Sequence, residues 1–400
     1  MQVLCFLCYN FLLFSPSPLA TTLAEQQRDG YFETWREICQ QPDTLIATFE
    51  SVAPAASRIS EILAGAGCVI LTGSGSSEYA GECVQLALQQ ELGRPVQTIG
   101  SGAILSDGLK TLLPERPAVL ISLARSGDSP ESVGAVSLLL ERDPKIRHLI
   151  FTCNSKGKLV NAFREDPRVL AIVLDERTND RSLVMTSSFT SLVAAARFVG
   201  LSNSVPRYES LCGEWSRAVQ GVLDAHVDAV RGVANTNFNR AVFLGSGARF
   251  GSAREAALKM LEMTAGAVST LPETYLGLRH GPMSYIHDHT LVVCFLSCDT
   301  TVRAYEADLI RELDRKQLGL SKVIVGERIP GDLIREGDLA VECPGLTWIQ
   351  DDNSPVVDVV VGQLLAFFRC LAQGLRPDSP SERGIISRVV ESFELYRTEN

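Results

Sequence analysis

Short apolar runs alternate along this chain with longer stretches in which apolar residues recur every three or four positions. In the first half the runs are Cys68 to Thr72, Ala118 to Leu123, His148 to Cys153 and Val169 to Leu174, and a helical period covers Pro130 to Glu141. The second half repeats the pattern with Ala241 to Leu244, Thr290 to Leu296 and Lys322 to Val325, and with a helical period from Val302 to Lys316. Strands apolar on both faces and separated by helices belong to parallel sheets covered on both sides. The predicted fold is therefore α/β, with two doubly wound parallel sheets flanked by helices. Helices over Phe32 to Gly65 lead into the first sheet, and a helical connector over Ser202 to Asn237 joins the two halves.

A repeated turn supports the two-part reading. The first strand runs into Gly73-Ser74-Gly75-Ser76-Ser77, and Ala241 to Leu244 runs into Gly245-Ser246-Gly247, 172 positions further on. That interval is one domain length, so the repeat marks two copies of one fold rather than a solenoid.

Composition narrows the functions. Hydrophobic residues at 46% and charged residues at 21% of 400 positions fit a packed globular chain. The net charge of −10, with acids and bases interspersed, leaves no basic stripe for a nucleic acid. The 11 cysteines are scattered, often inside apolar runs, and read as buried thiols of a reducing compartment. Cys5 and Cys8 form a lone Cys-x-x-Cys with no second ligand pair, so no metal is expected. Met1 to Phe14 is apolar but carries no basic residue before Arg28, and it falls short of the about 20 residues a spanning helix needs. Residues 1–30 are expected to be an unstructured extension or an early start, with a targeting segment as the alternative; the expected location is cytoplasmic, without a membrane partner.

Every polar cluster follows a strand, where an open parallel sheet binds ligands. Glycine lets the backbone approach an anion, serine hydroxyls donate, and the next helix offers free N–H groups. Ser74, Ser76, Ser77, Arg125, Ser126 and Ser129 are the candidates for a phosphate, and Arg181, Thr186 and Ser187 for the rest of the substrate. Each loop taken singly also fits a plain tight turn or helix cap. Gly73, Gly75 and Gly81 miss the dinucleotide spacing, and no Walker lysine follows either loop, so no nucleotide cofactor is expected.

On the helix after Gly247, Glu255, Lys259 and Glu262 share one face. Spacing alone fits a solvated ion-pair ladder. The apolar neighbours Ala256, Ala257, Leu258, Met260 and Leu261 favour a partly buried carboxylate instead, its proton affinity balanced between burial and a lysine. His280, in Leu278-Arg279-His280-Gly281-Pro282, is either structural or a second proton carrier.

With these residues in view, the chain resembles the sugar isomerase (SIS) superfamily, within it the AgaS-type galactosamine-6-phosphate deaminase/isomerase family, and more distantly the isomerase half of glucosamine-6-phosphate synthase. The likeness rests on Ser126 to Ser132, Asn179-Asp180-Arg181 with Met185 to Ser188, Ala253 to Gly266, Arg279 to Pro282, and Pro377 to Pro380. It implies two tandem SIS domains, at 31–205 and 206–375, and a tail at 376–400 that contributes to the site. It also implies deamination of galactosamine 6-phosphate to tagatose 6-phosphate, with plain aldose/ketose isomerisation and a non-catalytic sugar-phosphate sensor as alternatives. Glu262 would move the proton between C1 and C2, and Lys259 and Glu255 would tune it. His280 would open the sugar ring in a neighbouring subunit's site, which implies a homo-oligomer. Arg125 stands where the synthase has glutamine, Asp128 where it has glutamate, and the synthase's C-terminal lysine has no evident counterpart near Ser387 and Arg388.

Overall fold

The computed structural model describes residues 21–381 and 383–396. The apolar runs form strands. β1 (Cys68–Gly73), β2 (Val96–Gly100), β3 (Ala118–Ala124), β4 (Arg147–Thr152) and β5 (Val169–Val173) build one sheet, and β6 (Arg240–Leu244), β7 (Ser269–Glu273), β8 (Thr290–Phe295), β9 (Ser321–Gly326) and β10 (Leu339–Glu342) build another. All pairings are parallel, in the orders β2-β1-β3-β4-β5 and β7-β6-β8-β9-β10, so the two sheets share one topology. The pattern reading missed three strands, β2, β7 and β10. All three lie at sheet edges, where β2 and β7 are only half-buried and β7 contains Pro272, which an edge tolerates.

One core runs through both halves. Val69 and Leu71 of the first sheet and Phe243 and Val293 of the second belong to it, together with the helices Ser187–Leu201 and Pro355–Ala372 between them. Helix Pro355–Ala372 is long and apolar enough to cross a membrane, yet 83% of it is buried inside the protein, and that enclosure accounts for its composition. The apolar segment before residue 21, with Cys5 and Cys8, lies outside the described residues.

β4 carries an oddity, His148, which is fully buried with both ring nitrogens lacking a hydrogen-bond partner. Burial, then the nearby Arg168, holds its pKa down to about 4. The unfolded chain takes up this proton first, near pH 6.5, so the group withdraws stability as pH falls from there to about 4. His148→Leu is expected to raise stability at neutral pH by about 1–2 kcal/mol by removing the unpaired donor. Its urea midpoint should also vary less across that pH range, and a lower midpoint at pH 7 would contradict the account.

Candidate active site

β1 ends in Gly73, and a Cβ there would lie 2.6 Å from the Ser77 carbonyl carbon, so only glycine lets the next helix start this close to the strand. Gly75 turns the chain at φ +57°, and the helix Ser76–Leu92 begins with no side-chain cap. β3 feeds the helix Pro130–Arg142 in the same way, and its N-cap Ser129 makes no side-chain capping bond. Two uncapped helix N-termini therefore open on one cleft of about 610 Å³, which Ser74, Ser76, Ser77, Ser126 and Ser129 line. Unsatisfied N–H groups, helix dipoles and hydroxyls in one concavity are what a phosphate requires. The Ser74 hydroxyl is buried and has no hydrogen-bond partner.

The opposite wall comes from the second half. Helix Ala248–Met263 is buried against helices Ser76–Leu92 and Pro355–Ala372, and small residues allow the close approach. A Cβ on Gly251 would meet Cys83 at 2.6 Å, and one on Gly362 would meet Ala256 at 2.5 Å. Arg254 lies 4.1 Å over the Tyr79 ring and pairs with Glu82, which fixes the register between the halves. This packing sends Lys259 to the cleft, where Nζ donates to Ser76 Oγ at 3.0 Å and to Glu262 Oε2 at 2.5 Å and lies 3.3 Å from Glu255 Oε1. Glu255 and Lys259 are buried, while the Glu262 side chain keeps 23% exposure on the cleft. The solvated-ladder reading of this helix face therefore gives way to a buried triad. Burial raises the Glu255 pKa to about 7 even beside Lys259. Burial alone would lower the Lys259 ammonium, but the two glutamates outweigh it and raise it. Such a lysine stays charged and holds the accessible carboxylate in place.

The second copy of the turn keeps the backbone but does not open on a cleft of this kind. Gly247 again has φ +57°, and a Cβ on Gly245 would meet Arg249 O at 2.2 Å. Glu306 takes a hydrogen bond from the Ser246 side chain of this turn, and the loop after β8 receives the protein's own acids. Asp351 accepts from Cys298 N at 2.8 Å, Glu306 from Ser297 N at 2.7 Å, and Asp299 caps Thr301 N at 2.9 Å. Buried Arg249 bonds Ser354 Oγ at 2.9 Å and faces Asp358 at 3.4 Å. One phosphate per chain is expected by titration calorimetry. Gly73→Ala should weaken phosphate binding about tenfold, the equivalent of ~1.4 kcal/mol, while Gly245→Ala should lower stability and spare affinity. Two bound equivalents would overturn this assignment.

The structure gives four of the residues assigned to the substrate from the sequence other partners or another place. Arg125 lines the cleft, but its guanidinium is spent on backbone carbonyls: Nη1 donates to Leu183 O and Val184 O at 3.0 Å, and Nη2 to Arg388 O at 2.6 Å. Thr186 and Ser187 are wholly buried behind the cleft. The Asp180 carboxylate accepts from Thr186 N at 2.7 Å, Ser188 N at 2.9 Å, Ser188 Oγ at 2.6 Å and the Ser187 hydroxyl, so this motif braces a loop. Arg181 is 74% exposed and lines a separate cavity with Arg36 and Arg177. Glu37 sits under the same loop, accepting from Ser182, its pKa raised to about 8 by burial and then by Asp180. The brace delivers Leu183 and Met185 to the cleft. His280 is exposed, in the turn after helix Tyr275–Leu278, and does not line its own chain's cleft.

The resemblance implied that the tail at 376–400 contributes to the site, but sequence reasoning gave no role to Glu131 or Leu258, or to Ile385, Arg388, Val390 and Glu391 within the tail, all of which line the cleft. The tail has neither period nor turn signal to mark it. Glu131 lay in view within the Ser126 to Ser132 stretch, but on a helix N-terminus it reads as ordinary dipole complementation.

Comparison with known proteins bears on this arrangement. The SIS domain model matches residues 62–200. A D-galactosamine-6-phosphate deaminase AgaS of Shewanella is 33% identical over 92% of this chain and 92% of its own length. One from Escherichia coli is 33% identical over 82% of this chain and 85% of its own. The crystal structure of tagatose-6-phosphate ketose/aldose isomerase from Escherichia coli superposes with a TM-score of 0.81 at 30% identity, covering 89% of this chain and 96% of that one.

Proposed function

The chain belongs to the AgaS family of SIS-domain enzymes, and from that membership and the chemistry of its cleft we propose that it converts galactosamine 6-phosphate and water to tagatose 6-phosphate and ammonia. The observation that carries the reading is the Glu262 carboxylate on the cleft wall, held by a buried lysine that also grips Ser76 of the phosphate loop. One contact set thus ties the phosphate-binding end to the proton-transferring group.

The sugar phosphate sits on the N-termini of helices Ser76–Leu92 and Pro130–Arg142, with Ser74, Ser76, Ser77, Ser126 and Ser129 as donors. Glu262 takes the proton from C2 of the open-chain amino aldose and returns it at C1, which leaves an imine at C2. Water adds to that imine, and ammonia leaves. Glu255, with a pKa of about 7, can hold or give up a proton at the far side of Lys259. His280 serves ring opening in the cleft of a second copy, so the active form is at least a dimer. Two inactive variants, Glu262→Gln and His280→Ala, should then regain part of the activity when their subunits are mixed; no recovery would place His280 outside the reaction.

Ammonia release from galactosamine 6-phosphate and glucosamine 6-phosphate in parallel, with Glu262→Gln as control, tests the function. Release from the galacto sugar that the variant loses supports it. A protein that interconverts aldose and ketose phosphates without releasing ammonia would be an isomerase using the same carboxylate, the activity named for the Escherichia coli structure.

A further inference from the structure

After helix Pro355–Ala372 the chain forms no further helix or strand among the described residues, yet it returns to the cleft. Asp378 makes the first attachment, accepting from Thr34 N at 2.7 Å and Glu33 N at 3.2 Å at the start of helix Phe32–Cys39. Ten residues later Arg388 makes the next. Its Nε donates to Asp180 O at 2.7 Å and its Nη2 to Asn179 Oδ1 at 2.6 Å, while its own carbonyl accepts from Arg125 Nη2 at 2.6 Å. Between and beyond these points Ile385, Ser387, Val390 and Glu391 wall the cleft, and Ile385 and Val390 remain largely exposed to solvent.

The economy of this arrangement lies in Arg125. It leaves the end of β3 at the phosphate loop, is buried, and donates from one nitrogen to the carbonyls of the loop Ser182 to Val184 and from the other to the tail. A planar guanidinium fixes two directions at once, which a lysine ammonium or a glutamine amide cannot do. Arg125 and Arg388 thus cross-link three segments remote in sequence, the phosphate loop, the Asp180 loop and the tail.

We propose that Arg125 is a positioning residue that pins the C-terminal tail across the cleft and thereby retains the sugar phosphate, without itself binding the phosphate. The proposal rests on this cleft being the substrate site. It predicts that substrate affinity and tail attachment move together, because both depend on one guanidinium.

The test compares Arg125→Gln, Arg125→Lys and Arg388→Ala in the full chain by limited trypsin digestion at Arg383 and Arg388, followed by mass spectrometry, and by steady-state kinetics with galactosamine 6-phosphate. Arg125→Gln should speed tail cleavage about tenfold or more, since release no longer breaks charge-assisted bonds. KM should rise by a similar factor while kcat stays within a few fold, with Arg125→Lys between this variant and the parent. A raised KM with unchanged tail cleavage would mean that Arg125 touches the ligand directly and would overturn the proposal, as would faster cleavage with an unchanged KM. Should Arg125→Gln fail to fold, Arg388→Ala decides by KM and by cleavage at Arg383, the site it retains, because it removes the tail's bonds to Asn179 and Asp180 and leaves the buried arginine in place. If the parent protein releases no ammonia, the functional reading fails; tail protection by the sugar phosphate in the parent, lost in the variants, still judges the clamp.

Discussion

Glu262→Gln is expected to lower turnover by about 10²- to 10⁴-fold while the protein keeps its fold, the range that one positioned proton-transfer group supplies. Glutamine matches glutamate in size and can still accept a hydrogen bond from Lys259, so the buried lysine keeps its neighbours and only the ability to carry a proton is lost. The Glu262 side chain is partly exposed, so the change in unfolding midpoint should be small. The cleanest readout is exchange of the C2 hydrogen of the sugar with deuterated solvent, which reports proton abstraction whether or not ammonia follows. Unimpaired exchange in the variant would take the base role away from Glu262 and pass it to Glu255, whose pKa of about 7 suits it for such work.

Lys259→Met should damage both stability and activity. Methionine fills much the same space but leaves Glu255 buried without its cation, and a broken buried pair typically costs about 3–5 kcal/mol. The pH dependence has a definite sign. The Glu255 carboxyl loses its proton near 4.5 in the unfolded chain and at about 7 in the folded one, so over that interval this group withdraws stability as pH rises. Without the lysine, which lowers its pKa, Glu255 rises further, and the decline should extend to higher pH. The double variant Lys259→Met/Glu255→Gln removes both charges and should recover much of the stability without recovering activity. Denaturant unfolding of the parent and the two variants at pH 5 and pH 8 measures all of this, and a Lys259→Met protein as stable as the parent would contradict the triad's role in the core.

The glycine-serine turns were legible because their geometry is local. Gly73, Gly75, Ser76 and Ser77 are adjacent in the chain, and a strand, a positive-φ glycine and a helix start suffice to aim their donors. For Arg125, Thr186 and Ser187 the sequence shows the residue but not its partners, for the opposite reason. An arginine after a strand looks the same in one dimension whether it donates to a ligand or to a carbonyl 57 or more residues away, and a serine whether it donates to a ligand or to a carboxylate seven residues back. The edge strands escaped detection because a strand buried on one side only, or holding a proline, lacks the continuous apolar run that marks β1, β3 and β8.

Period and turn chemistry, which act between residues a few positions apart, determined from the sequence alone that this chain is a duplicated parallel α/β protein with a glycine-serine turn at the start of each half. Resemblance in several ordered motifs added the family. Whether both turns are open was decided only in three dimensions, by the Glu306 carboxylate reaching Ser246 of the second one and by Asp351 filling the loop after β8 beside it. Tertiary packing likewise decided that helix Ala248–Met263 of one half lays its lysine and glutamate over the phosphate loop of the other, and that the tail comes back to Arg125. The physical reason is that pairing and burial depend on distance through space, and for these contacts the chain's own order carries no record of it.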